Sequence, residues 1–158
     1  MPNPCFSQQD FEEQLNQPDN HAFIQSLKQY STADLADILM ALPINDQIRL
    51  LEQLPQASYV FEFLALTEQQ QLAAKLPQAL LLKLLAHMHS DDRTDLFQSL
   101  AQEVQGQIFP QLDAHVQAQL NDLMHYPAES AGAIMSTEVI TVHAEMTMQQ
   151  AIQHIRQH

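Results

Sequence analysis

Three carboxylates, Asp91, Asp92 and Asp95, crowd into the stretch His89-Ser90-Asp91-Asp92-Arg93-Thr94-Asp95-Leu96-Phe97-Gln98-Ser99-Leu100. The stretch reads as the start of a helix. Ser90 is a suitable N-cap, and Asp91 and Asp92 fall in the first turn, where unpaired N–H groups favour negative charge. If the helix runs on, Leu96, Phe97, Leu100 and Val104 share one apolar face. Asp91 and Asp95 are then an i, i+4 pair on the opposite face, extended by Gln98 and Gln102. Asp91 and Asp92 also fit the ordinary preference for acids at a helix start, with no further role. Asp95 lies a turn further in and repels Asp91 by roughly 0.2–0.5 kcal/mol. A divalent cation reverses the sign of that interaction. Mg2+ suits such an edge, because it takes oxygen ligands, keeps several waters and is often held by one or two carboxylates. The D-x-x-x-D spacing is common on helices and does not by itself establish metal binding.

Other chemistry-bearing residues read more plainly. His87 and His89 would point about 200° apart on a helix and could not share one ion. A zinc site would need four ligands, so both are expected to be solvent-exposed near a helix end. Met124, Met135, Met146 and Met148 read as core gap-fillers. Gln69–Gln71 read as a solvated helix face. No P-loop, G-x-G-x-x-G, H-E-x-x-H or C-x-x-C is present, so an enzyme is not expected.

The 158-residue chain is long enough for one domain with a real core. Its 46% hydrophobic content argues against general disorder. With 2 Gly and 6% aromatic residues, the composition favours helices over a sandwich or barrel. Six Lys and Arg against 19 Asp and Glu give a formal charge of -13. That argues against nucleic acid and against docking on anionic lipid, and it suits cations or a basic partner. The single cysteine, Cys5, cannot form an internal disulfide, and nothing resembles a secretory signal, so a reducing cytosolic compartment is expected. No apolar segment of 18 residues occurs, so the chain itself is not expected to enter a membrane.

The elements that must carry the acidic edge are short helices. A loose leader precedes a helix from Ser7 to Asn16, and Asp19 or Asn20 can cap a second one carrying Phe23, Ile24 and Leu27. Apolar periodicity then predicts helices over Thr32–Leu42, Asp46–Leu54, Ala57–Leu66, Glu68–Leu76 and Gln78–Met88. Proline follows leucine at Pro43, Pro55 and Pro77, which reads as helix, stop, helix. Asp34–Leu42 and Asp92–Leu100 share the pattern D-x-x-D-φ-φ-x-x-L, an internal repeat. Helix pairs recur at roughly 22–24 residues, shorter than the usual solenoid repeats. Helices this short are marginal alone and must stack on their neighbours. The predicted fold is therefore mainly α, a superhelical stack of short antiparallel helices like an α-solenoid. Two less regular helices are expected around Gln107–Phe109 and Ala114–Met124. Val139–Val142 then reads as a β-strand by its β-branched content. Thr147–Gln150 is a capping box that opens a helix with Met148, Ala151, Ile152 and Ile155 inward. One strand and one helix cannot close a core, so this tail is expected to be the first piece of an incomplete domain.

Three stretches together resemble the MgtE family of magnesium transporters and channels. Thr32–Pro43 is similar to the first repeat of that family's cytosolic N domain, and Met88–Leu96 is similar to its acidic repeat. Tyr126-Pro127-Ala128-Glu129-Ser130-Ala131-Gly132-Ala133-Ile134-Met135, followed by Val139–Val142 and Met146–Ile155, resembles the junction into its first cystathionine-β-synthase-type (CBS) domain. The resemblance implies a helical N domain over residues 1–126 and the junction and beginning of a CBS domain, as a strand-helix fragment, over residues 127–158. Members of the family carry these domains on the cytosolic side of a membrane pore. Mg2+ ions between the N and CBS domains neutralise facing carboxylates and hold the pore shut. The resemblance thus implies Mg2+ as the bound ion and Asp91 and Asp95 as ligands. Asp92, roughly 100° around the helix from Asp91, is a further candidate. A main-chain carbonyl near Gly132–Ala133 is also implied. Where the family has another acidic position this chain has Phe61, with Glu62 beside it; either Glu62 takes that role or the ion site is absent. The implied partners are the remaining CBS and transmembrane domains of the same transporter, in a homodimer. The implied location is the cytoplasmic side of the bacterial inner membrane. Because it would own only half the ligands, the fragment alone is expected to bind Mg2+ weakly.

Two other readings stay open. One is an interaction solenoid whose acidic face meets a basic partner. The other is a motor-associated protein, since short acidic helical repeats also resemble those of flagellar motor switch protein G. The junction into a CBS-like strand and helix argues against both.

Overall fold

Leucine and proline punctuation resolves into a run of short helices. The computed structural model describes residues 8–127, 130–132, 135 and 139–157. The expected leader, with Cys5, and the expected site residue Ala133 lie outside the described residues. In order come α1 (Gln8–Leu15), α2 (His21–Ser26), α3 (Thr32–Ala41), α4 (Ile44–Gln53), α5 (Ala57–Glu62), α6 (Leu66–Ala73), α7 (Gln78–His87), α8 (Ser90–Ser99), α9 (Gln102–Ile108), α10 (Ala114–Met124) and α11 (Met148–Ile155). Short 3-10 turns occupy Leu27–Gln29 and Phe109–Gln111. The mainly α stack expected from periodicity is the fold observed. Helices pack on the element two places along the chain: α3 on α5, α5 on α7, α6 on α8, α8 on α10. Their leucines converge, with Leu35, Leu39, Leu50, Leu51, Leu84, Leu85 and Leu96 all fully buried.

The prolines act differently from simple stops. Leu42 closes α3 in an extended conformation, and Pro43 then occupies the N-cap of α4; Pro77 does the same for α7. Proline's fixed φ and missing N–H cost nothing just before a first turn, so each proline opens the next helix.

A second device recurs at the junctions. A polar side chain early in one helix donates to the carbonyl five residues back, at the end of the preceding element. Gln69 Nε2 donates to Leu64 O at 2.8 Å, Gln105 Nε2 to Leu100 O at 2.8 Å, and Gln117 Nε2 to Leu112 O at 2.7 Å. Asn20 Nδ2 reaches Leu15 O at 2.7 Å, and Arg93 reaches Met88 O. Each bond satisfies a carbonyl that the helix end leaves without an intrahelical donor. Gln69 is accordingly buried, contrary to the solvated face expected for Gln69–Gln71. Gln70 is half-buried and Gln71 is exposed.

Two further expectations are corrected. No strand forms among the described residues; Val139, Ile140 and Val142 have no regular secondary structure and are exposed. A lone β-branched segment has no neighbour to pair its backbone, and propensity alone does not make a strand. The helix after it does form. Thr147 Oγ1 accepts the Gln150 N–H at 3.4 Å and Gln150 Oε1 accepts the Thr147 N–H at 2.9 Å. Its apolar residues are not inward, however: Met148, Ile152 and Ile155 are exposed, as are Met124 and Met135 among the expected gap-fillers.

Contacts at the junction are local among the described residues. The Ser130 N–H and hydroxyl both donate to Pro127 O, at 2.9 and 2.7 Å. A Cβ on Gly132 would lie 2.3 Å from Tyr126 Cδ1, so the chain returns against the Tyr126 ring only because position 132 is glycine.

Candidate functional site: an acidic edge on α8

The acidic stretch is held from behind by Arg93. The residue is 3% exposed. Nε donates to Leu85 O at 2.6 Å, a second nitrogen donates to Met88 O, and Nη1 donates to Gln119 Oε1 at 2.7 Å. Arg93 thus ties α8 to the last turn of α7 and to α10. Leu96 and Phe97 bury the same side of the helix. The chain turns out of the helix at Leu100, so Val104 belongs to α9 and does not continue that face.

Fixed in this way, α8 presents Asp91, Asp92 and Asp95. Asp91 and Asp92 are half-buried and Asp95 is exposed. Asp91 Oδ1 is buried and has no hydrogen-bond partner among the described residues. Though Asp95 is exposed, partial loss of solvent around its carboxyl raises it above the usual carboxylate range, and the charge of Asp91 adds to the shift. Asp92 is raised by burial first, then by Asp91, Glu62 and Asp95, while His89 opposes them. These are the marks of carboxyls partly withdrawn from water and, secondarily, held beside like charges by the scaffold.

Ser90 is not the cap. The helix begins at Ser90, and His89 takes the N-cap position without a side-chain cap bond. The cap comes from α5 instead. Glu62 Oε2 accepts the His89 N–H at 3.0 Å, and Glu62 Oε1 lies 2.7 Å from His89 Nδ1. A carboxylate at a helix start also complements the helix dipole. The His89 ring sits beside the Tyr59 ring at 5.7 Å. Phe61, the neighbour of Glu62, is fully buried.

Of the residues singled out by sequence, Asp91, Asp92 and Asp95 share one helix edge, and Glu62 is brought to its N-terminal end. Ligand atoms of Glu62, His89 and Asp92 lie within 4.8 Å of one another. Sequence reasoning treated His89 as merely exposed. Its side chain is 51% exposed, but it also pairs with Glu62, 27 positions earlier, and no local pattern encodes that contact.

The raised carboxyls carry a sign. Their folded-state pKa values lie above the ordinary carboxyl value of 3.8, so the folded chain holds these protons more tightly than the unfolded chain. The stability they contribute is fully present below 3.8 and is lost as pH rises through the folded pKa. Asp95→Asn is therefore expected to raise the urea midpoint at pH 7. The gain should shrink steadily as pH falls towards 3.8, where wild type is protonated too. A gain that grows on acidification would mean that Asp95 is stabilised by its charge.

No helix among the described residues is long and apolar enough to cross a membrane. Residues 30–129 match the MgtE intracellular N domain. No curated protein matches the chain. Its fold recurs among solved structures. The cytosolic domain of the Mg2+ channel MgtE, in a complex with ATP, is 24% identical with a TM-score of 0.77; the match covers 96% of this chain and 63% of that one. The soluble part of a magnesium transporter is 22% identical with a TM-score of 0.53, covering 93% of this chain and 62% of that one. This chain therefore spans less than two thirds of either relative. The matched domain takes in α3 to α10 and the whole acidic edge, and the chain belongs to the MgtE intracellular N domain family.

Proposed function

We propose that this chain is the Mg2+-sensing regulatory part of an MgtE-type magnesium transporter, without enzymatic activity of its own. Residues 1–126 form the N domain and residues 127–158 begin a CBS domain. The partners are the remaining CBS and transmembrane domains of the same protein, in a homodimer at the cytoplasmic face of the bacterial inner membrane. The observation that carries the reading is the acidic edge. Asp91, Asp92 and Asp95 are crowded on one helix, Asp92 and Asp95 have raised pKa values, and Asp91 Oδ1 is buried without a hydrogen-bond partner among the described residues. These are hard oxygen donors, and too few to complete a Mg2+ shell. In this reading Asp91 and Asp95 supply half of a site, and carboxylates and carbonyls of the following domain, including one near Ala133, supply the rest. Bound Mg2+ contributes charge neutralisation. The chain's own residues set the geometry, and without neutralisation their repulsion drives the two domains apart.

The test is limited proteolysis of the full-length transporter across a Mg2+ titration. Wild type is expected to become protected as Mg2+ rises. Asp91→Ala combined with Asp95→Ala should move the midpoint up at least tenfold, about 1.4 kcal/mol, while helical circular dichroism stays unchanged. An unchanged midpoint in the folded double variant removes these residues from the site.

A further inference from the structure

We infer that Glu62, His89 and Asp92 form a second cation site, selective for divalent transition metals and complete within this chain. It goes beyond the Mg2+ reading and does not depend on it. Asp92 lies about 100° around α8 from Asp91, and the structure turns that angle into a division of the acidic edge. Asp91 and Asp95 form one group. Asp92 instead joins Glu62 and His89, with the ligand atoms of the three within 4.8 Å.

The donor set decides the metal. One imidazole and two carboxylates suit Zn2+, Co2+ or Mn2+, whereas Mg2+ prefers oxygen alone. Three protein ligands with the remaining position left to water is also a common arrangement for such ions. A tetrahedral ion bound at 2.0–2.2 Å holds its ligand atoms roughly 3.4 Å apart, which lies between the 2.7 Å separation of Glu62 Oε1 and His89 Nδ1 and the 4.8 Å span of the cluster. As the ion enters between Glu62 Oε1 and His89 Nδ1, any proton on that nitrogen passes to water.

The site is also built. The Glu62 side chain is only 10% exposed. Its Oε2 is anchored by the His89 N–H at 3.0 Å, which fixes the carboxylate and leaves Oε1 aimed at the imidazole. Such outer hydrogen bonds are what orient metal ligands in general. The Tyr59 ring limits where the imidazole can swing. Solvent reaches the cluster at His89, whose side chain is 51% exposed; the cavity of about 340 Å³ beside it is lined by His89 but not by Glu62 or Asp92. Because both α5 and α8 contribute ligands, occupancy would lock the cap of α8 whether or not a CBS domain is present.

The experiment titrates the 158-residue chain with Co2+, read by its visible d–d absorption, and then displaces Co2+ with Zn2+. One equivalent of tetrahedral or five-coordinate Co2+ is expected, retained in a large excess of Mg2+. His89→Gln should weaken Co2+ and Zn2+ binding at least tenfold, and so should Asp92→Asn, which leaves the Glu62 cap intact. His87→Gln and His115→Gln should leave binding unchanged. Equal binding by the His89→Gln chain overturns the proposal. So does an equal loss in the His87 or His115 variant, which would mark scattered surface histidines, or displacement of Co2+ by Mg2+ at comparable concentration. The Mg2+ reading is tested separately on Asp91 and Asp95, so either can fail alone.

Discussion

Arg93→Ala is expected to lower the unfolding free energy by about 3–5 kcal/mol, the scale of losing several hydrogen bonds from a charged donor and leaving buried acceptors unmade. The guanidinium serves three acceptors at once, Leu85 O, Met88 O and Gln119 Oε1. Hydrogen bonds to a charged group contribute about 1.5–3 kcal/mol each, and leaving a buried acceptor unmade costs about 1–3 kcal/mol. Two of the acceptors are main-chain carbonyls at the end of α7, which no rotamer change can turn to water. Arg93→Lys should recover little, because a single ammonium cannot span a planar three-way fork. Urea denaturation of the two variants measures this. Lys83→Ala is the control: its ammonium makes a long 3.4 Å contact to Glu52 O at an exposed position, and such changes stay within about 0.5 kcal/mol. A loss below about 1 kcal/mol in Arg93→Ala would mean that α8 is held by Leu96 and Phe97 alone.

Arg93 also marks the limit of what the sequence made legible. The repeat pattern aligns Asp34 with Asp92, which makes Leu35 the counterpart of Arg93, and both are buried. Periodicity finds such positions when they hold leucine and misreads them when they hold a polar residue. Gln69 was misread for the same reason. Its amide lies in the core because a helix-end carbonyl needs a donor there, and that need is set by how two helices meet. The helices themselves were legible because leucine spacing and Leu-Pro steps are local signals. The edge Asp91–Asp95 was legible because it too is local. The Glu62–His89 contact was not, since it exists only once α5 and α8 are packed. The failed strand at Val139–Val142 shows the converse: its residue types favour a strand, but pairing requires a neighbour that the described residues do not supply.

The same distinction decides which residue brings an acid from α5 to the edge. Phe61→Glu, which would place a carboxylate where the family resemblance expects one, should leave the chain unable to fold. Phe61 is fully buried in the leucine core. Losing a buried phenyl ring costs about 3–5 kcal/mol. An unpaired carboxylate in its place adds several more, or takes up a proton and remains poorly bonded. The sum is comparable with the whole stability of a domain, about 5–15 kcal/mol. Circular dichroism with a urea titration should show no cooperative transition. Phe61→Leu should keep one, at a cost under about 1.5 kcal/mol if the core repacks. Glu62→Gln should also stay folded, losing about 0.5–2 kcal/mol, the range of a weakened helix cap. If Phe61→Glu folds within about 1 kcal/mol of wild type, the side chain at position 61 can reach solvent and the acidic edge has room for a fifth carboxylate. If it does not fold, the only acid α5 can offer to α8 is Glu62, whose carboxylate already grips His89 at both oxygens.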